Sequence, residues 1–267
     1  MTPIRVRALV RAFYKHHGRH TLPWRMTRDP YKILVSEIIL QQTQVERVIP
    51  YYTAWIKRWP SARALSEATL AEVLTAWQGL GYNRRARALH QCAEELTRMN
   101  RFPKTRAELI RLPGVGEYTA GAVLCFAYDS REILIETNVR TVVMHHFFPK
   151  RKIVSDKEIR AVLEKLVPRV GARDFTYALM DYGAHLKRSG VRLNSKVKHY
   201  RAQTVFKGSD REVRGAIVRA LTQKSTPYTS IMNLFEKERR AQVTNQLTRL
   251  QSEGLVQKKG QYYSLPL

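Results

Sequence analysis

Residues 109–124 read LIRLPGVGEYTAGAVL. At its centre, Leu112-Pro113-Gly114-Val115-Gly116 is followed by a helix opening at Glu117. Two glycines at this spacing permit a tight helix-to-helix hairpin and a close backbone approach. The helix that follows points its unbonded N–H groups outward, which makes a ready phosphate site. A bare Gly-x-Gly is common and says little. The full run says more, because Leu112 precedes it and Thr119-Ala120-Gly121-Ala122 follows it.

On either side of the hairpin the chain is patterned as helix. Residues 33–42, ILVSEIILQQ, are apolar at helical spacing with polar interruptions. Trp55, Trp59, Leu65, Leu70, Val73, Leu74 and Trp77 carry the pattern through short helices, punctuated by Pro60 and Gly79. Residues 84–99 form an amphipathic helix with a basic start, and 155–167 and 173–187 predict two more. Strand signals are scarce before residue 255. A second pattern starts near Gly208. Helices are predicted at 211–221, 229–235 and 240–253, then two strands within 255–265 around Lys259-Gly260. Three helices and a hairpin in this order describe a winged helix, whose third helix would read a DNA groove. A protein-interaction wing is the alternative. The expected fold class is therefore all-α over residues 1–205, with a small winged-helix-like α+β domain over 206–267.

The 267 residues hold 47 Lys and Arg against 22 Asp and Glu, a formal charge of +25. With a pI near 10.4, this favours a polyanionic partner, nucleic acid before a membrane surface. Residues 206–267 hold 11 basic and 5 acidic side chains, so most of the excess lies in the larger part. The densest basic runs are 150–152 and 187–201; the second is a phosphate-tracking linker or a solvated loop. Hydrophobic residues make up 44% of the chain, enough for a core and too many for general disorder. No apolar run is long enough for a membrane span, and the basic N-terminus lacks a signal-peptide centre. Cys92 and Cys125 are the two cysteines, which excludes a disulfide framework and a four-cysteine cluster and fits a reducing, cytoplasmic setting.

Several separated blocks together resemble one family. They are LPWR (22–25), DPYKILVSEIILQQTQV (29–45), GLGYNRRARALH (79–90), LPGVGEYTAGAVL (112–124), ETNVRTV (136–142) and ALMDYGAH (178–185). In this order they resemble the helix-hairpin-helix DNA glycosylases with the Gly/Pro-Asp loop, and among them the MutY-type adenine glycosylases, over roughly residues 20–186. The resemblance implies a six-helix barrel-like part, a second helical part built from both chain ends, and an enzyme of base excision repair. Its partner would be double-stranded DNA carrying a mismatch or a damaged base, in the nucleoid. A monomer is expected.

The resemblance also assigns roles. Glu37 becomes the acid that protonates the purine ring and then helps to activate water, which requires burial to raise its pKa. Glu136 becomes the carboxylate that supports an oxocarbenium-like sugar. The family usually has Asp there, so this side chain is one methylene longer and must fold to place the same oxygen; capping the next helix is its alternative role. Asn138 follows in the same block and is counted with the catalytic group. Tyr118 stands where lyase-capable relatives carry a nucleophilic Lys, so the reaction should stop at an abasic site; simple packing against the helix is its alternative role. Gln41, Gln42 and Tyr82 match residues that enter the base stack when a base is flipped. Asn83 replaces a second Tyr of the usual run. Arg84, Arg85 and Arg87 would hold phosphates or form a solvated face. Leu112, Gly114, Val115, Gly116 and Thr119 would grip the DNA backbone. Trp24 and Arg25 match the block near the base pocket, though Trp24 equally suits a core.

Two modules of the relatives are missing. The four cysteines of their iron–sulfur cluster have no counterpart in HLKRSGVRLNSKVKHY, where Lys187 stands near the expected first one. No cofactor is therefore expected, apart from a monovalent cation held by hairpin carbonyls. Nor does anything after residue 208 resemble the Nudix-like domain that reads oxidised guanine. The expected reaction is excision of adenine opposite guanine or 8-oxoguanine. Removal of thymine, uracil or hypoxanthine is the alternative, and a non-catalytic lesion-binding protein is the alternative of another class.

Overall fold

The computed structural model describes residues 1–151, 153–191, 193 and 205–266. In chain order its helices are α1 Pro3–His17, α2 Pro30–Leu40, α3 Val45–Arg58, α4 Ala62–Ser66, α5 Leu70–Ala76, α6 Arg84–Met99 and α7 Arg106–Ile110. They continue as α8 Glu117–Tyr128, α9 Thr137–Phe147, α10 Asp156–Leu166, α11 Ala172–Arg188, α12 Asp210–Gln223, α13 Tyr228–Met232 and α14 Arg240–Ser252. Strands β1 Thr226–Pro227, β2 Gln257–Lys259 and β3 Tyr262–Ser264 form one small antiparallel sheet in the order β1-β3-β2. The all-α expectation with a small C-terminal α+β part holds. Among the described residues no helix is long and apolar enough to cross a membrane.

The chain divides into two compact units. The first comprises Met1–Glu37, Pro103–Arg111 and the described residues of Val115–Ala202. Its core gathers Val6 and Val10 of α1, Val139 and Val142 of α9, Ile159 and Leu163 of α10, and Phe175 and Leu179 of α11. These positions recur every three or four residues, the spacing that puts one apolar stripe on each helix. Ser155 caps α10 with a reciprocal Glu158 bond, and Pro3 starts α1 behind the Thr2 cap. Gly183 fixes how closely α11 meets α9. A Cβ there would overlap the backbone carbonyl of Asn138, so any larger residue would push the start of α9 away.

The second unit comprises Ile38–Phe102, Leu112–Gly114 and the described residues of Gln203–Leu267. Trp55 packs edge-on against Trp59, centroids 4.7 Å apart, and against Trp77 at 5.5 Å. The C-terminal segment belongs to this unit, with α12 packed on α5. Helices α12, α13 and α14 fall where the periodicity puts them, although α13 is shorter than expected. The sheet has one strand more than the sequence suggests. β1 pairs Thr226 with Tyr263 and Pro227 with Tyr262. Two residues are too few to show alternation, so this strand left no pattern. Gly260 turns the β2–β3 hairpin at φ +60°. Part of the two basic runs, residues 152, 192 and 194–201, lies outside the described residues.

Candidate active site

Glu37, Glu136, Tyr118, Asn138, Trp24 and Arg25 all belong to the first unit. Glu37 sits in α2 between Ser36 and Ile38, both buried, and is itself only 9% exposed. Burial raises its pKa to about 8, and the negative charge of Glu136 adds to the rise, against the opposing charge of Arg25. At neutral pH the Glu37 carboxyl therefore carries a proton it can donate.

Glu136 precedes α9 in extended backbone, φ −120° and ψ 176°. Its Oε1 accepts the amides of Asn138 at 2.8 Å and Val139 at 2.7 Å. The capping role is thus real. The longer side chain folds back onto the helix N-terminus, which uses the additional methylene and fixes the carboxylate. Its Oε2 accepts the Thr137 hydroxyl at 3.3 Å. Burial raises the Glu136 pKa, while the two amides and the Lys187 charge hold it down. Tyr118 opens α8. Its phenol is pushed well above the ordinary value by desolvation and then by the charges of Glu37 and Glu136. Two carboxyls and a phenol are thus electrostatically coupled around one point.

Behind them lies a network in which sequence reasoning gave a role to Arg25 alone, near the base pocket. Asp181 of α11, 2% exposed, accepts the Arg19 amide at 2.8 Å and both terminal nitrogens of Arg25 at 2.7 and 2.9 Å. Arg25 lies flat over Tyr177, 4.3 Å from the ring centre, and Tyr177 stacks on Phe126 at 4.2 Å. Arg173 ties the turn to α11 by donating to the carbonyls of Arg25 at 2.7 Å and Thr27 at 2.8 Å. Trp24 is buried. The available signal was Asp181 itself, a carboxylate among Leu179, Met180 and Tyr182 in the middle of a helix. Such a residue is buried only with a cationic partner.

In the second unit Gln41 and Gln42 leave α2, with Gln42 at φ +55°, and Tyr82 lies at φ +51°. Non-glycine residues held in this region store strain, which clusters where a loop must present its side chains. Arg85 is the clamp of both loops. Its Nη1 donates to the carbonyls of Ile38, Ile39 and Gln41, and its Nη2 to those of Leu80 and Gly81. These bonds occupy both terminal nitrogens, and burial pulls its pKa down to about 10. A phosphate-holding role for Arg85 does not use these bonds. Arg84 pairs with Glu253 at the end of α14, and Arg87 donates to the Glu253 carbonyl. Leu112 is buried, and Gly114 adopts φ +76° against Ala88, which would crowd any Cβ at 2.8 Å. In the first unit Val115 and Thr119 are buried and Gly116 caps α8. Thr119 is therefore packed within the protein rather than presented at its surface. What the start of α8 offers outward is the set of backbone amides that helix geometry leaves unbonded.

This fold, with its hairpin and buried acid, defines a class. Residues 35–169 match the HhH-GPD superfamily of base excision DNA repair proteins, and the chain belongs to it. It is similar to the adenine DNA glycosylase of Mycolicibacterium smegmatis, 40% identical over 235 residues that cover 80% of this chain and 79% of that one. It is also 40% identical to the adenine DNA glycosylase of Buchnera aphidicola over 178 residues, 64% of this chain. There it spans only 50% of the relative's length. Among solved structures it is similar to a thermostable thymine-DNA glycosylase, 28% identical with TM-score 0.59, over 68% of this chain and 86% of that one.

The iron–sulfur cluster implied by the family resemblance finds no ligands here. Cys92 and Cys125 are both buried, fall in different units, and have thiols that burial pushes up to about 12. A four-thiolate cluster does not fit this chain.

Proposed function

We propose that the chain is a monofunctional DNA glycosylase that flips a mispaired adenine out of duplex DNA and hydrolyses its N-glycosidic bond. The observation that carries this reading is the pair of carboxyls, Glu37 buried in α2 and Glu136 fixed by two amides at the start of α9. Adenine leaves as a neutral base only if a ring nitrogen takes a proton, which Glu37 supplies. As the C1′–N bond breaks, the sugar becomes cationic, a charge that the Glu136 carboxylate stabilises in this reading. Tyr118 offers no amine for an imine with C1′, so water takes up the sugar carbon and an abasic site remains. Glu37, ionised after giving up its proton, accepts one from that water. The +25 charge favours the DNA backbone, and the reading needs no iron–sulfur cluster.

Single-turnover base release at moderate salt tests it, using duplexes with adenine opposite guanine or 8-oxoguanine and thymine, uracil or hypoxanthine opposite each normal base. Alkali then cuts any abasic product. Release of adenine supports the reading. Release of a pyrimidine or hypoxanthine alone moves the substrate. Tight binding without any release points to a lesion sensor.

A further inference from the structure

The C-terminal elements of the second unit run α12, β1, α13, α14, β2, β3, and their sheet has the order β1-β3-β2. This is the order of a winged helix, with α13 and α14 as its helix-turn-helix, β2–β3 as its wing, and β1 as the strand that closes the sheet. Tyr228 locks the parts together. Its hydroxyl bonds to that of Thr244 on α14 at 3.1 Å, and its ring lies 6.2 Å from the Tyr263 ring of β3. α14 buries Val243, Leu247 and Leu250. Its opposite face, Ala241, Asn245, Thr248 and Ser252, is exposed and built of short side chains. An ordinary solvated helix of this chain looks different: α10 exposes Asp156, Lys157, Arg160, Glu164 and Lys165, charges of both signs. Neither α14 nor residues 254–264 contain an acid. Arg240 at the start of α14 and Lys258 and Lys259 in the wing are exposed. The two lysines are successive strand residues, so they point to opposite faces and leave the wing cationic on both. Of the five acids in 206–267, Asp210 and Glu212 lie on α12, Glu236 and Glu238 ahead of α14, and Glu253 beyond it.

A helix face of short side chains between fixed cations suits the groove of a duplex. The short chains let the helix sink between two rows of phosphates, and the cations meet the rows. An acidic protein would satisfy the cations but gives no reason for the short face between them. The surface is also anchored. Glu253, just beyond α14, pairs with Arg84 and Arg214, and its carbonyl accepts Arg87. The end of α14 is thereby bound to α6, the helix that follows the Tyr82 loop. We propose that α14 and the β2–β3 wing form a second duplex-binding surface, which grips the DNA phosphates on one side of the lesion. This inference rests on the glycosylase reading for its partner, DNA, and holds whichever base is excised.

The test is equilibrium binding of the full chain to duplexes that carry one tetrahydrofuran abasic analogue. Flanks of about 15 base pairs on both sides are compared with duplexes in which one flank or the other is cut to about 5, which removes the next groove, a helical turn being about 10 base pairs. Shortening one flank should weaken wild-type binding by about 10-fold or more, and shortening the other should change it far less. The double change Lys258→Ala and Lys259→Ala should erase that difference. On the long duplex it should also flatten the slope of log affinity against log salt by about 1–2, the counterions of two phosphate contacts. Asn245→Glu, at an exposed position, should cost about 10-fold on the long duplex and little on the one that lacks the groove. Thermal melts confirm that both variants fold, and their base release at saturating protein should match the wild type. Equal loss whichever flank is cut overturns the proposal. So does a flank difference that survives both variants, or variants that bind the long duplex as the wild type does, which would leave this face to a protein partner. Base release without any flank effect defeats the second surface alone, and a flank effect that the variants erase, without base release, defeats the glycosylase reading alone.

Discussion

Asp181 holds Arg25, the cation that flanks Glu37, at two points, Nη1 to Oδ2 at 2.7 Å and Nη2 to Oδ1 at 2.9 Å. Arg25 is the cation that pulls the Glu37 pKa down against burial and Glu136. With its charge shared between Asp181 and the face of Tyr177, that pull stays the smallest of the three influences on Glu37.

Asp181→Asn should therefore do two things. It leaves a buried guanidinium without a countercharge, a loss of about 3 kcal/mol or more in stability. It also exposes Glu37 to the full charge of Arg25, so the alkaline limb of the single-turnover rate should move to lower pH. A thermal melt reads the first effect and a pH–rate profile the second. If the limb stays in place, Asp181 only supports the fold.

The wild-type profile follows from the same carboxyls. Glu37 must be protonated, and burial holds it so up to about pH 8. Above that, base release should fall about tenfold per pH unit. Glu136 must be ionised, and burial raises its pKa, so an acid limb should appear above the ordinary carboxylate value of 4.5. Stability carries the matching sign. Glu37 has a raised pKa in the folded state, so its contribution is complete below its unfolded value and is lost as pH rises through about 8. Glu37→Gln removes that loss. Its melting temperature should exceed the wild type by more at pH 9 than at pH 6. Its base release should drop by about 10²–10⁴-fold with duplex binding retained. A variant that keeps near-wild-type release would dismiss Glu37 as the acid.

Much of this was legible because it follows period and spacing. The helices have 3.6-residue apolar stripes, the hairpin has its two glycines, and Glu37 sits in an apolar run that announces burial. What stayed hidden has no local pattern. Asp181 and Arg25 lie 156 residues apart, and nothing in either neighbourhood names the other. Arg85 reads as one of several surface arginines after Tyr82, yet it is anchored by carbonyls from two loops. Backbone acceptors carry no side-chain code. β1 is two residues long and leaves no alternation to find. The Glu136 cap was one of two readings of the sequence, and the folded-back side chain shows that the cap fixes this carboxylate.

Gly183 connects packing to this chemistry. A methyl group there would overlap the Asn138 carbonyl. The start of α9 must then retreat from α11, and Glu136 retreats with it because its carboxylate is bonded to the amides of Asn138 and Val139. Gly183→Ala should cost about 1–3 kcal/mol of stability through overpacking. At a temperature where the variant is fully folded, base release should still fall, with duplex affinity changed far less. Wild-type release from the folded variant would separate the helix contact from the placement of Glu136.

The last prediction concerns the amine that the site lacks. Tyr118 stands at the start of α8, electrostatically coupled to both carboxyls. A lysine there would attack C1′ as the base leaves with a proton, and opening of the C1′–O4′ bond would give an iminium that borohydride reduces to a covalent link. Tyr118→Lys should therefore yield a DNA-linked protein on reduction and strand cleavage without alkali, whereas the wild type should yield neither. Lys187 makes the control informative. It lies one turn beyond Gly183 on α11, its pKa lowered by burial while Glu136 works to raise it. That makes it a competitor for the role. Should the wild type be trapped, Lys187→Ala would show whether this lysine is the nucleophile, and the monofunctional reading would give way to a lyase that uses a second amine.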